Sequence, residues 1–347
     1  MKYSTQHSDY ASNNLTNSFG YYAYSLLLSV RGYRKVYLYT NIVYLVNFGA
    51  IRIRVASILK AKRSIWRELV NQDRPFVLPG AYDALSAKLI EQQGFEGYVI
   101  GGFPLVGSRY GLPDIGLVGL GEMAAGMRDI MAASNIPALI DGDHGYGDVK
   151  NVAHTIHTYE AMGAGAIFIE DQVAPKRCGH AAGKDVVSCE EMVVKIRAAA
   201  EARENKDFFL IARTDARAIH GLDDALSRSE KYIAAGADGI FIEAPQSVDE
   251  LETIAAAFDV PQMCNMLIGG QTPIISNQEL HEMGFRMIVH GTTLIKRVAR
   301  ALEITLAQLK NDCLIENSDD FVTLEHFMNL TGLADWQEIE RKSQTSE

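Results

Sequence analysis

Ala166-Ile167-Phe168-Ile169-Glu170-Asp171-Gln172-Val173 continues an apolar run that starts at Ala164 and stops abruptly at two acids. A short, continuous apolar run suits a strand buried on both faces, as in a parallel sheet. It feeds Pro175-Lys176-Arg177-Cys178-Gly179-His180, where a cysteine stands among basic residues. Carboxylates at a strand end suit a hard cation. A thiol flanked by Lys176, Arg177 and His180 is expected to have a lowered pKa, because nearby positive charge favours the thiolate. Taken alone, the stretch also fits a strand followed by a solvated loop that carries one cysteine.

The same unit recurs along the chain. Short apolar strands are expected at 76–80, 98–102, 138–141, 166–170, 208–213, 239–243, 261–265 and 286–290. Helical stretches follow at 84–93, 120–134, 149–162, 189–204, 222–235, 248–258, 277–283 and 293–310, and glycines such as Gly94, Gly163 and Gly236 close several of them. An amphipathic helix over 57–71 precedes the first strand. Eight strand–helix units fit an α/β chain folded as a (β/α)8 TIM-type barrel better than an open doubly wound sheet. No GxGxxG fingerprint follows the first strand, which counts against a dinucleotide fold. Three segments are expected: an N-terminal extension (1–54), the catalytic barrel (55–310) and a C-terminal helical tail (311–347). The tail carries amphipathic stretches around 324–333 and 336–342, able to pack on its own barrel or on a neighbour.

The composition is that of an ordinary globular protein: 347 residues, 48% hydrophobic and 22% charged. With a net charge of −10 and no basic block, nucleic acid is not an expected partner. Cys178, Cys189, Cys264 and Cys313 are scattered without a CxxC pair, so neither a disulfide framework nor a zinc site is expected, and a cytoplasmic location fits. Residues 1–54 are rich in Tyr, Asn and Ser and hold two apolar runs separated by Arg31, Arg34 and Lys35. The second run, 36–51, contains Asn41 and Asn47 and is short and polar for a membrane span, so stable insertion is not expected. The extension is expected to lie outside the folded domain. Upstream sequence joined by a misplaced start is one reading of it, and a targeting or interfacial segment is another.

In such a barrel the active site forms at the C-terminal rim of the strands. The expected strand ends are polar almost all the way round: Gly101-Gly102, Asp141-Gly142-Asp143-His144, Glu170-Asp171, Arg213-Thr214-Asp215, Glu243, Asn265 and His290. Packed carboxylates without a cation raise one another's pKa. Mg²⁺, or Mn²⁺, held by one or two carboxylates and several waters explains such a cluster, and a rim network of acids paired to Arg and Lys is the alternative. Arg213 is the fork for a substrate carboxylate, and Gly101 and Gly102 can bring amides close to an oxyanion. Cys178 lies in a loop over 173–187, long enough to close over a substrate. His144 and His290 are less specific.

These residues resemble the isocitrate lyase/phosphoenolpyruvate mutase superfamily over about residues 60–310. The resemblance rests on Tyr98–Gly102, Gly111-Leu112-Pro113-Asp114, Asp141–Gly147, Ile169-Glu170-Asp171-Gln172, Lys176-Arg177-Cys178-Gly179-His180, Ala212–Ala216, and Asn265 with Gly269-Gly270-Gln271-Thr272-Pro273. The Lys-Arg-Cys-Gly-His loop is similar to that of the carbon–carbon lyase branch, the 2-methylisocitrate and 2,3-dimethylmalate lyases. The resemblance implies a metal site at Asp141 and Asp143 with Asp114 and Glu170 around it. It also implies a carboxylate site at Arg213, Gly101 and Gly102, and pocket residues Glu243, Asn265 and Thr272. Cys178 would be the acid/base, supported by Lys176, Arg177 and His180, with Tyr98, or a metal-bound water beside an outer-shell carboxylate, as candidates for the hydroxyl base. The implied reaction is Mg²⁺-dependent cleavage of a 2-hydroxy di- or tricarboxylate to pyruvate or glyoxylate plus a carboxylic acid, in a homotetramer whose C-terminal segment exchanges between neighbours. Ile100 and Ile268 depart from the pattern, where related lyases carry serine and glutamate, and leave the substrate open. Two other readings stand beside it: oxaloacetate hydrolysis on the same scaffold, and a non-catalytic metabolite-binding barrel. A phosphonomutase is not expected, because that branch lacks the cysteine.

Overall fold

The computed structural model describes residues 65–180, 183–313 and 321–344. The extension at 1–54, and positions 57–64 of the helix expected at 57–71, lie outside the described residues. Helical residues 65–70 (α1) lead into β1 (Phe76–Pro79), α2 (Ala84–Gln92), β2 (Tyr98–Ile100), α3 (Gly102–Tyr110), α4 (Leu120–Ala132) and β3 (Ala138–Asp141). Next come α5 (Val149–Met162), β4 (Ala166–Glu170), α6 (Cys189–Ala202), β5 (Phe209–Thr214), α7 (Arg217–His220), α8 (Leu222–Ala234) and β6 (Gly239–Ile242). The chain continues through α9 (Val248–Ala256), β7 (Gln262–Asn265), α10 (Asn277–Met283), β8 (Met287–His290) and α11 (Thr293–Lys310), and then α12 (Leu324–Leu330) and α13 (Leu333–Gln344).

All eight strands run parallel, and each pairs with its neighbour in sequence from β2 to β8. β1 returns to β8 in a register running from Phe76↔Met287 to Pro79↔His290. A bridge between Gly80 and Val99, with the Ala81 N–H donating to the Val99 carbonyl at 2.9 Å, joins β1 to β2. The (β/α)8 barrel expected from the strand–helix rhythm is therefore the fold.

Alternation along each strand separates two cores. Phe76, Leu78, Val99, Leu139, Ala166, Phe168, Ile211, Phe241, Met263 and Val289 fill the barrel interior. Their neighbours Ile100, Ile140, Ile167, Ile169, Leu210, Ala212, Ile240, Ile242 and Ile288 face the helices. Continuing the inward set by one step toward the strand ends gives Gly101, Asp141, Glu170, Arg213, Glu243 and Asn265. The polar rim is thus the top layer of the barrel's own interior. The other end is covered by α1, whose Trp66, Leu69 and Val70 join the interior core. Trp66 is fully buried, edge-on to Phe76 at 5.0 Å.

Two short helices, α3 and α7, depart from the expected pattern of one helix per strand. Gly101, Gly102, Pro104 and Gly107 read as loop, yet α3 forms because a proline in the first turn gives up no intrahelical hydrogen bond. Leu105 and Val106 then bury against the core. Among the described residues no helix is long and apolar enough to cross a membrane.

Replacing Trp66 by Ala removes the side chain that covers the barrel base. The expected loss is about 3–5 kcal/mol of unfolding free energy, read by urea denaturation. A loss below about 1 kcal/mol, the level of an average substitution, contradicts this packing role.

Candidate active site

Arg213 ends the inward set of β5 and is buried. Burial of a guanidinium requires carboxylate partners, and Arg213 has three. Its Nε donates to Asp215 Oδ2 at 2.9 Å and its Nη2 to Asp215 Oδ1 at 3.2 Å. Nη1 lies 3.2 Å from Glu170 Oε2, and Nη2 lies 3.3 Å from Glu243 Oε2. Its planar face looks onto Phe241 and Phe168, at 5.3 and 5.9 Å from the ring centres. Burial pushes the Asp215 pKa up, but Arg213 and Lys184 outweigh it and hold the carboxyl below its ordinary value. Glu243 is likewise held low, with Arg213 and His180 overcoming its burial.

The second cluster is acidic. Asp141 accepts from the Gly102 N–H at 2.8 Å and from the Asp143 N–H at 3.0 Å. Asp143 adopts a left-handed backbone (φ 47°), a rarely populated conformation that is often found at functional sites. Lys176 bridges Asp143 and Asp114, the latter at 2.8 Å. Burial raises the Asp141 pKa to about 6; Asp143 adds to the shift and Lys176 opposes it. Burial likewise raises Asp114, and lifts Glu170 well above the ordinary carboxylate range. The expected convergence of acids on a cation therefore takes a different form here, because the Lys176 ammonium stands between Asp114 and Asp143. Among the described residues no three His, Cys, Asp or Glu side chains are gathered as a ready metal cage.

A divalent cation nonetheless suits the donors. They are all oxygens, and Glu170 Oε1 is buried without a hydrogen-bond partner. Among the described residues, Lys176 pairs with Asp114 and Asp143, Lys184 with Asp215, and Arg213 with Glu170, Asp215 and Glu243, while Asp141 accepts from backbone N–H groups.

Between the two clusters is a cavity of about 80 Å³, lined by Gly101, Gly102, Asp141, Glu170, Arg213, Glu243 and Asn265 and roofed by Lys176, Arg177, Cys178, Gly179 and His180. The roof is tied down along its length. Gln172 Oε1 accepts from the Arg177 N–H at 2.9 Å, and the Val173 N–H donates to the Asp185 carbonyl at 2.9 Å. His180 Nδ1 accepts from the Gln271 N–H at 3.0 Å, so the ring proton resides on Nε2, 2.9 Å from Glu243 Oε1. Gly179 lies so close to the barrel that a Cβ there would meet Arg213 Nη2 at 2.3 Å. Only glycine fits this contact.

The structure corrects two expectations about the cysteine and its base. Cys178 has its pKa raised, not lowered. Burial dominates, and the His180 N–H and Arg213 only partly oppose it. The reason is spatial: Lys176 is spent on Asp114 and Asp143, and Arg177 is exposed and extends over Gly183. A protonated thiol results, the form a proton donor needs. Tyr98 does not reach the cavity. Val99 is the inward residue of β2, so Tyr98 points into the helix-side core beside Ser134, with burial raising its pKa.

Other residues fall into place by the same geometry. The Gly102 amide, expected on a substrate oxyanion, donates to Asp141 instead. Asn265 lines the cavity with its Oδ1 unpartnered, whereas Thr272 is buried with an unpartnered hydroxyl and does not line it. His290 bonds Asn277 at 2.9 Å, and His144 lies outside the cavity. Asp171 points away from the mouth and accepts from Thr214 Oγ1 (2.6 Å), Tyr232 OH (2.9 Å) and the Asp215 N–H (2.9 Å), which braces the loop below Arg213. The alternation that turns Glu170 inward already implies this direction. Asp215, expected only as part of the polar rim, and Lys184, for which the sequence gives no expectation, support the site through Arg213 and Gly179.

The raised thiol pKa has a direct readout. The rate of Cys178 alkylation by iodoacetamide, followed by mass spectrometry, should reach half its maximum at a pH above that of an ordinary cysteine. A midpoint below the ordinary value contradicts the burial argument.

Comparisons with known proteins find relatives over most of the chain. A family model described as Phosphoenolpyruvate phosphomutase matches residues 66–310. The chain is 40% identical over 280 residues to the 2,3-dimethylmalate lyase of Eubacterium barkeri, covering 80% of this chain and 97% of the relative. It is 36% identical over 289 residues to the 2-methylisocitrate lyase of Aeropyrum pernix, covering 81% and 92%. An oxaloacetate acetylhydrolase, solved with 3,3-difluorooxalacetate, superposes with a TM-score of 0.78 at 31% identity, covering 82% of this chain and 98% of that one. The barrel, its rim chemistry and these matches together show that the chain is an enzyme belonging to the phosphoenolpyruvate mutase/isocitrate lyase superfamily.

Proposed function

We propose that the chain is a divalent-cation-dependent carbon–carbon lyase. It cleaves a 2-hydroxy di- or tricarboxylate to pyruvate or glyoxylate plus a carboxylic acid, with Cys178 as the proton donor to the leaving carbon. The observation that carries this reading is a thiol kept protonated by burial across one narrow cavity from a buried arginine and a crowd of acids. The lyases among the relatives support it.

Asp141 and Asp143 would hold the cation, with Asp114 and Glu170 around it, and Mg²⁺ is the proposed identity because the donors are hard oxygens. Bound there, it would make the substrate hydroxyl more acidic and steady the adjacent carboxylate. Arg213 would orient that carboxylate, and Asn265, through its unpartnered amide, the rest of the acid. Glu170, whose pKa burial raises, is our candidate for receiving the hydroxyl proton in place of Tyr98. As the C–C bond breaks, its electron pair stays on the leaving fragment, and the Cys178 S–H protonates that carbon. Exchange with solvent then returns the proton from Glu170 and restores the thiol. Apolar Phe103, Leu267 and Met263 along the cavity favour an alkyl-substituted dicarboxylate over a third carboxylate.

The assembly is proposed from the C-terminal helices. α11 has no buried residue over its length and exposes Leu302, Leu306 and Leu309, and α12 and α13 expose Leu324 and Trp336. Such a surface suits docking on a neighbouring subunit, in a homotetramer. A cytoplasmic site of action accords with four free cysteines.

A second reading, oxaloacetate hydrolysis to oxalate and acetate, is favoured by the structural neighbour that performs it. The two separate in a panel of 2,3-dimethylmalate, 2-methylisocitrate, isocitrate and oxaloacetate, each with EDTA and with added Mg²⁺. The lyase reading expects release of pyruvate or glyoxylate that EDTA abolishes and Mg²⁺ restores. It also expects Cys178→Ser to lower turnover by about 10²- to 10⁴-fold. Oxalate formation as the sole activity, or near-normal lyase turnover in Cys178→Ser, overturns it.

A further inference from the structure

Lys184 lies six residues beyond Cys178, and its side chain is only 3% exposed. A buried ammonium is tolerated only where other groups replace its lost water. Its Nζ has two such partners, donating to the carbonyl of Gly179, the residue after Cys178, and to Asp215 Oδ1 at 2.5 Å. Those two partners belong to different parts of the site. Asp215 is fixed to the barrel, because its N–H donates to Asp171 and its carboxylate takes two donors from Arg213. Gly179 is part of the roof, and a Cβ on it would fall 2.3 Å from Arg213 Nη2 and 2.7 Å from Glu243 Cγ. Lys184 therefore links the Gly179–His180 peptide unit, next along the chain from Cys178, to the carboxylate that orients Arg213.

We propose that Lys184 is a positioning residue: by holding the Gly179 carbonyl to Asp215 it sets where the Cys178 thiol stands above an acid bound at Arg213. The catalytic half of this statement rests on the lyase reading above; the geometric half does not. A proton donor must stand within hydrogen-bond reach of the atom it serves. Gln172, His180 and Lys176 hold other points of the roof, so loss of Lys184 should shift the Cys178–Gly179 unit without unfolding the barrel.

The test uses Lys184→Met, Lys184→Gln and Lys184→Arg in the full chain. In Lys184→Met, kcat should fall by about ten- to a hundred-fold, the scale of a displacement of about 1 Å, with KM changed much less. Alkylation of Cys178 by iodoacetamide, read by mass spectrometry on folded protein, should quicken severalfold, while Cys189 on α6 serves as the unchanged control. Lys184→Arg, which restores the charge and a donor, should recover much of both. If thermal melting shows Lys184→Met unfolded, Lys184→Gln carries the test with the same expectations. Wild-type Cys178 alkylation in the folded Met or Gln variant overturns the proposal, as does a rise in KM alone. If the wild-type enzyme shows no lyase turnover, the lyase reading fails, and the alkylation arm still decides whether Lys184 holds the roof.

Discussion

A guanidinium buried at the mouth of the barrel is the constraint on which the rest of the site depends. Removing Arg213 from water costs several kcal/mol unless carboxylates compensate. Asp215, Glu170 and Glu243 do so from β5 and its loop, β4 and β6. Each of these acids then needs its own support, because a partner of Arg213 that drifts leaves a buried charge exposed to a low-dielectric interior. Asp215 is braced by Asp171 and Lys184, and Glu243 stands against His180. The supports of the arginine are thus the same residues that tie down the cysteine-bearing roof.

The coupling explains why the roof carries a glycine where it crosses Arg213. Gly179 passes over Arg213 with no room for a Cβ, and a Cβ on Gly102 would meet Lys176 Nζ at 3.0 Å. The roof holds a half-buried thiol whose pKa desolvation raises. On the opposite wall, acids exceed the bases that face them, and burial raises the pKa of Asp114, Asp141 and Glu170 together. A site with surplus negative charge is poorly suited to a carboxylate substrate unless a cation enters with it. In the reading proposed here, the excess of acids is what makes substrate binding depend on the metal.

Much of this was legible in the chain. Eight apolar runs between helical stretches specify parallel strands buried on both faces, and all eight appear as strands. The rim acids follow from their position at the strand ends. What sequence reading missed has definite causes. Tyr98 is a candidate base on the sequence, but alternation with inward Val99 and Gly101 turns it to the helices. The Cys178 pKa was inferred from neighbours in sequence, whereas its neighbours in space are Arg213, Glu243 and a desolvating roof. Helix α3 was hidden by its glycines and proline. Lys184 carried no motif signal, and only the fold brings it to Asp215.

The dependence of acid binding on a cation can be measured without turnover. Oxalate, a compact dicarboxylate, is titrated calorimetrically into the wild-type protein in EDTA and then in saturating Mg²⁺. The expected result is no detectable binding in EDTA and a saturable heat with Mg²⁺, because the surplus acids repel the dianion until a cation joins them. Oxalate binding of equal strength in EDTA would contradict it, by showing that Arg213 and its neighbours already form a complete anion site.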